Sequence, residues 1–141
     1  MPAPSPDTLE FLLSRRSRPA KTLQAPAPDR AALMPLLTAA ARTPDHGKLE
    51  PWRFVVIDKA AMERISKVIY DRGIEIGKDD RQAKMACGQY DKGNLAVAVI
   101  EVQKESLIPA LEQTYSAGCV CLSLLNASLA AGWGANWLRG W

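Results

Sequence analysis

A long apolar segment in the last third of the chain constrains the fold more than any other feature. The sequence after Pro109 is largely apolar up to about Ala131 and is followed by Gly132 and Gly134, which are typical of a helix end. Its most apolar part, 117–131, is interrupted by polar residues and falls short of the ~18 uninterrupted apolar residues that indicate a membrane span. We therefore predict a long helix that is buried in a globular core.

Two short apolar runs predict β-strands. Residues 54–57 and 95–100 are continuous apolar runs with many β-branched side chains, and we expect the second to be a central strand covered on both faces. The sequence from Ala135 to Trp141 predicts the start of another strand. Together with the helical patterns, these strands predict an α+β fold in which helices pack around a small mixed β-sheet.

Helical spacing of apolar side chains predicts further helices. One begins after Ser5 and ends before Pro19, because the residue before a proline disfavours helical backbone. A second follows Pro28, and since Pro35 in a helix interior would cost ~3 kcal/mol, the helix should begin after Pro28 and keep Pro35 near its first turn. Two more segments are candidates for helices, 60–76 and 79–90, and the second is more polar and could be either helical or loosely ordered.

Size, charge and cysteine content limit the class of protein. A length of 141 residues predicts a single domain over 1–141. With 18 basic and 15 acidic residues the net charge is +3, which allows an anionic ligand but not the basic surface of a dedicated nucleic-acid binder. The odd count of 3 cysteines argues against a disulfide framework, and the first residues lack a signal-peptide pattern. We expect a cytoplasmic protein with no nucleic-acid or membrane partner.

The usual signatures of catalysis do not occur in this sequence. It has no glycine-rich dinucleotide or phosphate loop, no serine nucleophile elbow and no zinc-ligand spacing, so no metal is expected. Cys119 and Cys121 are two residues apart and would point to different sides of a helix, which favours core packing over a shared metal. The single histidine, His46, has no nucleophile at a recognisable spacing.

Two polar clusters remain as candidate sites. Arg15, Arg16, Ser17 and Arg18 combine guanidinium forks with a hydroxyl group, which suits a phosphate monoester. A solvated helix end is the alternative, because cations are favoured near a helix C-terminus without any ligand. The second cluster, 44–52, is a polar loop stiffened by two prolines, and it could be a binding loop or a structural turn.

Taken together and in this order, the clusters resemble the FMN-dependent nitroreductase family, in particular its small NAD(P)H nitroreductase branch. The resemblance covers nearly the whole chain and rests on four motifs. They are R-R-S after the first helix, P-D-H-x-K-x-x-P-W-R-F at 44–54, S-A-G-C at 116–119 and G-W-G-A-N-W-L-R-G at 132–140.

The resemblance implies an intertwined homodimer with FMN at the interface, so that each site draws on two chains. It implies that Arg15, Arg16 and Ser17 hold the phosphate and ribityl end of FMN. A loop from the opposite subunit would reach the flavin, and a C-terminal stretch would lie along the ring system near N5. The residues of this loop and this stretch are Asp45, His46, Lys48 and Leu49, and Trp137, Leu138, Arg139 and Gly140.

The implied activity is hydride transfer from NADH or NADPH through FMN to a nitroaromatic, a quinone or a similar acceptor, with no protein nucleophile. A basic side chain near flavin N1 and O2 would stabilise the reduced flavin, and Arg18 and Lys21 are candidates. Members of the family continue beyond the position of Trp141, so the C-terminal part of the family fold is expected to be missing.

Two alternatives stay open at this point. The chain could be a catalytically degenerate relative that serves as a flavin-binding or regulatory module. It could also be a small basic domain that binds nucleic acid through Arg15, Arg16, Arg18 and Lys21, although no nucleic-acid-binding motif accompanies them.

Overall fold

Residues 3–138 are described by the computed structural model, and within this range the chain alternates between helices and short extended segments. Five α-helices and two β-strands follow in this range: α1 (Pro6–Ser14), α2 (Arg30–Ala40), β1 (Trp52–Asp58), α3 (Lys59–Glu75), α4 (Asp80–Lys92), β2 (Leu95–Glu101) and α5 (Ala110–Ala130). One-turn 3-10 helices lie at Ala20–Thr22 and His46–Lys48. The fold is α+β, as predicted.

The sheet is formed by the two apolar runs. β1 and β2 pair antiparallel along their whole length, with Trp52 opposite Glu101 and Asp58 opposite Leu95. Both strand predictions are confirmed. Within residues 3–138 the sheet has these two strands, so it is antiparallel rather than mixed. The expectation of a central strand covered on both faces is wrong for this range, because β2 lies at an edge and its residues are half-buried or exposed.

The strand predicted to begin at Ala135 is not formed over 135–138, and residues 139–141 lie outside the described range. The backbone here has a different partner, since the Arg18 N–H donates to the Ala135 carbonyl at 3.1 Å. Asn136 also bonds to this partner segment through its side chain. A tertiary contact with the region after α1 therefore replaces the expected strand pairing.

The hydrophobic core lies between α2, the sheet and α5. Leu33, Leu36 and Leu37 form its buried centre, and full burial of one such side chain contributes roughly 1.5–3 kcal/mol. Val120 of α5 is completely buried. The partly buried side chains that pack against the leucines are Phe54, Leu95, Val97, Leu124, Ala127 and Trp133. The long helix predicted after Pro109 is confirmed.

Caps define where three of the helices begin. Asp29 Oδ1 accepts from the Ala32 N–H at 2.8 Å, so α2 begins after Pro28 as predicted. Pro35 lies in the second turn of α2 rather than its first turn, and burial of the flanking leucines offsets the lost backbone hydrogen bond. Asp58 and Asp79 cap α3 and α4 in the same way as Asp29.

The segment 79–90 is a regular helix and not a loosely ordered stretch. Asp79 accepts from the Gln82 N–H while the Gln82 side chain accepts from the Asp79 N–H, which completes a capping box. α4 packs closely on α3 at Gly73, where an added Cβ would lie 3.2 Å from the Ala83 Cβ.

Two helices leave apolar side chains uncovered. α1 buries none of its residues, and Leu9 and Leu13 are 59% and 71% exposed. On α5, Leu111, Tyr115 and Leu122 remain exposed, although the opposite face of this helix lies in the core. No helix found within residues 3–138 combines the length and the apolar character that crossing a membrane requires.

Candidate functional site

A cavity of about 790 Å³ lies beside β2 and the second half of α5. Residues of the segments 18–28 and 133–138 also line it, together with residues of α2, β1, α3 and α4 that include Leu33, Ile57, Met62 and Tyr90. Its α5 wall consists of Cys121, Leu124, Leu125 and Ser128. This volume falls within the ~300–1,000 Å³ that is typical of sites for small molecules and cofactors, and most of the lining side chains are apolar.

Hydrogen bonds join the arginine cluster to the C-terminal segment at the rim of this cavity. Asn136 Nδ2 donates to Ser17 Oγ at 3.1 Å and to the Arg18 carbonyl at 2.7 Å. The Arg18 N–H donates to the Ala135 carbonyl at 3.1 Å. The structure thus brings together two motifs that lie far apart in the sequence, since the two bonds of Asn136 span 119 and 118 positions.

The chain direction after α1 follows from its local sequence. α1 ends at Ser14, and Arg15 adopts an extended conformation with ψ 146°. Pro19 keeps Arg18 out of helical backbone, so the N–H and carbonyl of Arg18 remain free for partners outside the helix. Ala135 and Asn136 are those partners.

In the described lining of the cavity, positive charge comes from one residue. Arg18 is the only charged residue among the described residues that line it, and Lys21 is not part of this lining. Arg15, Arg16 and Ser17 also lie outside the lining, but Ser17 contacts Asn136, which belongs to it. Arg15 is half-buried and Arg16 is exposed, and Arg16 Nη1 donates to the Arg15 carbonyl at 3.0 Å.

Two of the four residues predicted in the C-terminal stretch line the cavity. Trp137 and Leu138 are both in its wall, and both are about half exposed. Arg139 and Gly140 lie outside the described residues.

The polar loop 44–52 contains a tight turn. Gly47, Lys48 and Glu50 have φ of 75°, 53° and 47°, and the two side-chain-bearing residues in this left-handed region are strained. Asp45 Oδ2 accepts from the Glu50 N–H at 2.7 Å, which holds the turn. His46 Nδ1 donates to Glu112 Oε2 at 2.8 Å, and both side chains are substantially exposed.

This loop lies away from the cavity of its own chain. Its partner Glu112 is in the first turn of α5, and Cys121 follows nine residues later, a distance of about 14 Å along a helix. None of the predicted loop residues is among the described residues that line the cavity: Asp45, His46, Lys48 and Leu49. Within one chain, the structure therefore does not bring the two predicted clusters together.

The three cysteines occupy different environments. Cys87 is buried, Cys121 is half-buried in the cavity wall and Cys119 is exposed. The expectation that Cys119 packs in the core is wrong, because the face of α5 that carries it has no covering element in the described part of the chain. Burial raises the pKa of the Cys121 thiol.

A separate polar cluster of Tyr70, Asp80 and Lys84 lies on α3 and α4, next to a cavity of about 370 Å³. Lys84 Nζ and the Tyr70 hydroxyl each donate to Asp80 at 2.9 Å. These hydrogen bonds lower the pKa of Asp80 and raise the pKa of Lys84 and Tyr70. Within residues 3–138, no group of three or more His, Cys, Asp and Glu side chains could hold a metal ion.

Sequence reasoning did not identify Asn136 as a functional residue, and it left Arg18 without an assigned position. Asn136 belongs to the G-W-G-A-N-W-L-R-G motif, but its hydrogen-bond partners become visible only in three dimensions. The proline after Arg18 was the available signal, since it frees the Arg18 backbone for tertiary contacts.

Comparison with known proteins places the chain in a family. Residues 12–141 match the model of the Nitroreductase family. A protein of Escherichia coli (strain K12) with the name "Putative NAD(P)H nitroreductase YdjA" is 36% identical over 135 residues, which cover 95% of this chain and 73% of that protein.

Solved structures share the fold at low sequence identity. A nitroreductase-like family protein from Bacillus cereus has a TM-score of 0.77 at 15% identity, covering 100% of this chain and 74% of its own. A nitroreductase with bound FMN from Bacteroides fragilis has a TM-score of 0.65 at 18% identity. The match covers 91% of this chain and 67% of that chain. With the family match over most of the chain, these findings show that this chain belongs to the nitroreductase family of oxidoreductase enzymes.

Proposed function

We propose that the protein is a single-domain, cytoplasmic, FMN-dependent oxidoreductase that transfers a hydride from NADH or NADPH to a nitroaromatic, a quinone or a similar acceptor. The observation that carries the proposal is the apolar cavity, with the arginine cluster held at its rim by hydrogen bonds to the C-terminal segment. The FMN bound to the Bacteroides fragilis protein and the NAD(P)H in the name of the Escherichia coli relative support this choice of cofactor and reductant.

The residues around the cavity fit FMN in their chemistry. FMN combines a flat, largely apolar ring system with a phosphate monoester at the end of a polyol chain. The cavity offers apolar walls for the ring, and the segment 15–17 next to its rim offers two guanidinium groups and a hydroxyl for the phosphate. A buried acceptor without a partner, Asn136 Oδ1, also lies in this region.

Each part of the site has a distinct task in this proposal. Arg15, Arg16 and Ser17 hold the phosphate through paired N–H donors and a hydroxyl. Trp137 and Leu138 lie beside the ring, and the apolar α5 wall excludes water from it. FMN supplies the hydride chemistry when bound, so the protein binds, orients and tunes it without a nucleophile of its own.

Arg18 has an electrostatic task. It is the one charged residue in the described lining of the cavity, and positive charge there stabilises the negative charge of a reduced flavin. The choice left open between Arg18 and Lys21 therefore falls on Arg18 in this proposal, because Lys21 does not line the cavity.

We further propose that two chains form a homodimer through the uncovered faces of α1 and α5. Exposed apolar side chains on both helices support this arrangement: Leu9, Leu12, Leu13, Leu111, Tyr115 and Leu122. Exposed apolar surfaces of this kind are typical of protein interfaces. Glycine 118, with open space at its Cβ position, lets a neighbouring helix approach the middle of α5.

A two-fold axis near the middle of α5 would also explain the position of the His46 loop. The loop contacts the first turn of α5, whereas the cavity uses its second half. If two α5 helices cross in opposite directions, the first turn of one helix lies beside the second half of the other. Asp45, His46, Lys48 and Leu49 would then reach the partner's cavity rather than their own.

A visible absorption spectrum of the purified protein tests the proposed function. Protein incubated with FMN and desalted should retain a flavin band, and anaerobic NADPH should bleach this band until a quinone or nitroaromatic is added. Bound flavin that neither NADH nor NADPH bleaches would favour a degenerate flavin-binding module. Protein that does not retain FMN would refute the proposal.

A further inference from the structure

We propose that Asn136 is a positioning residue that fixes the phosphate-binding segment 15–18 relative to the flavin cavity. This inference rests on the proposed function, because it assigns to Asn136 a role in the recognition of the FMN phosphate. Asn136 itself need not contact the phosphate; it acts through the backbone and hydroxyl of its neighbours.

The hydrogen bonds of the Asn136 amide point in one direction. Its Nδ2 donates to Ser17 Oγ at 3.1 Å and to the Arg18 carbonyl at 2.7 Å, so both bonds end on the same segment. Its Oδ1 is buried and accepts no hydrogen bond within the described part of the chain. A buried amide oxygen without a partner is unfavourable, so the pairing of the donors with the segment determines the orientation of this side chain.

Segment 15–18 makes few other contacts that would fix its position. It follows the end of α1, a helix that buries none of its residues, and three of its four side chains are exposed. The hydrogen bonds that the structure shows from this segment to a distant part of the chain end on Ala135 or Asn136. Because Ala135 and Asn136 also line the cavity, these residues connect its wall to the segment that carries the arginines.

Loss of Asn136 should weaken the binding of the flavin's phosphate and leave the binding of its ring system unchanged. If Asn136 holds the guanidinium groups at a set distance from the cavity, its loss leaves the apolar walls in place and displaces only the phosphate donors. FMN and riboflavin share the ring system and the polyol chain, and they differ in the phosphate. Asn136 should therefore determine how strongly the protein prefers FMN over riboflavin.

Flavin binding to an Asn136→Leu variant tests this inference. The substitution preserves approximate shape, introduces no charge and removes both N–H donors. Dissociation constants for FMN and for riboflavin are measured from the quenching of flavin fluorescence. We expect FMN to bind about tenfold more weakly than to the wild type, the scale of a lost pair of hydrogen bonds, and riboflavin to change by less than about twofold.

Asn126→Leu is the matched control. Asn126 also has a buried amide oxygen without a partner, but it lies on α5 outside the cavity lining of the described residues. Its substitution should leave the ratio of the two dissociation constants unchanged. The inference would be overturned if Asn136→Leu left the ratio of the two dissociation constants unchanged, whether both flavins bind more weakly or neither does.

A double variant shows whether Asn136 acts through the arginines. If it does, Asn136→Leu should weaken FMN binding much less in an Arg15→Ala background than in the wild type. Independent, multiplicative effects would contradict the positioning role. If Asn136→Leu does not fold, Asn136→Ala replaces it, and failure of both variants to fold would overturn the inference by assigning Asn136 to the stability of the fold.

Wild-type protein separates this inference from the proposed function. If the wild type binds neither flavin, the proposed function fails. If the wild type binds FMN and Asn136→Leu keeps the same preference for FMN over riboflavin, the inference alone fails.

Discussion

At the scale of single residues, Arg18 carries the most specific electrostatic prediction, because it is the charged residue of the described cavity wall. Arg18→Ala should lower the two-electron reduction potential of bound FMN by about 30–60 mV. This corresponds to the loss of one charged hydrogen bond, roughly 1.5–3 kcal/mol. Equilibration of the holoprotein with a reference dye measures the shift.

Lys21→Ala is the control for this prediction, because Lys21 lies in the neighbouring 3-10 turn but not in the cavity lining. It should leave the potential almost unchanged. An equal shift in both variants would indicate a general effect of net charge and would contradict the role assigned to Arg18.

The Cys121 thiol gives a second prediction, on pH and ligand protection. Burial raises its pKa, so at neutral pH the reactive thiolate is scarce, and alkylation by iodoacetamide should accelerate as pH rises towards and beyond 9. Because Cys121 lines the cavity, saturating FMN should slow this reaction. A Cys119→Ser variant removes the exposed neighbouring thiol, and mass spectrometry follows the modification. A rate that FMN does not change would argue against flavin in this cavity.

The sequence could identify residues whose side-chain chemistry suits a particular ligand. Guanidinium groups beside a hydroxyl suit either a phosphate site or a solvated helix end, and the phosphate site stays a prediction. The structure places Ser17 and Arg18 at the rim of the cavity. Asn136 could not be found in this way, because its role depends on partners 119 and 118 residues away. Cys119 was placed wrongly because helical periodicity gives the apolar face but not which part of it finds a neighbour.

At the scale of elements, the capping box of α4 carries a stability prediction. Asp79 accepts from the Gln82 N–H at 2.8 Å, and the Asp79 N–H donates the reciprocal bond to the Gln82 side chain at 3.2 Å. Asp79→Ala should lower the free energy of unfolding by about 1 kcal/mol, the usual effect of losing an N-cap. Urea denaturation monitored by circular dichroism measures the change.

Glu63→Ala provides the comparison for this element, since Glu63 is an exposed carboxylate in the interior of α3 and caps no helix. It should change stability by less than about 0.5 kcal/mol. Equal effects of the two substitutions would show that the capping box contributes nothing specific.

The elements themselves were more predictable than their assembly. The apolar runs at 54–57 and 95–100 and the helix after Pro109 follow from local patterns, and the structure has all three. The sequence left the segment 79–90 between a helix and a loosely ordered stretch, because its signal is the Asp79–Gln82 pair rather than an apolar stripe. The strand expected from Ala135 is not formed over 135–138 for another reason: the Ala135 carbonyl accepts a hydrogen bond from the region after α1, which no local pattern reveals.

At the scale of the whole molecule, the unusual feature is apolar surface on two helices. α1 has no buried residue, and α5 exposes Leu111, Tyr115 and Leu122 while its opposite face lies in the core. A single chain that leaves this much apolar surface in water loses the stabilisation that its burial would give. Dimerisation through these faces would recover it, and would also bring each His46 loop to the other chain's cavity.

Leu122→Glu tests the dimer and the composite site together. Leu122 is 41% exposed near the middle of α5. A carboxylate there would have to be buried without a partner in the dimer, so the dimer dissociation constant should rise by at least about tenfold. Sedimentation equilibrium measures it, and Val68→Glu on the exposed face of α3 introduces the same charge away from both helices as a control.

The affinity for FMN decides whether dimer formation serves binding. If the loop of one chain completes the site of the other, the Leu122→Glu monomer should bind FMN more weakly, while the Val68→Glu protein should match the wild type. The weakening should diminish at high protein concentration, because mass action restores the dimer. A monomer that binds FMN with full affinity would show that each cavity is complete within its own chain, and the position of the His46 loop at the far end of α5 would then require a different explanation.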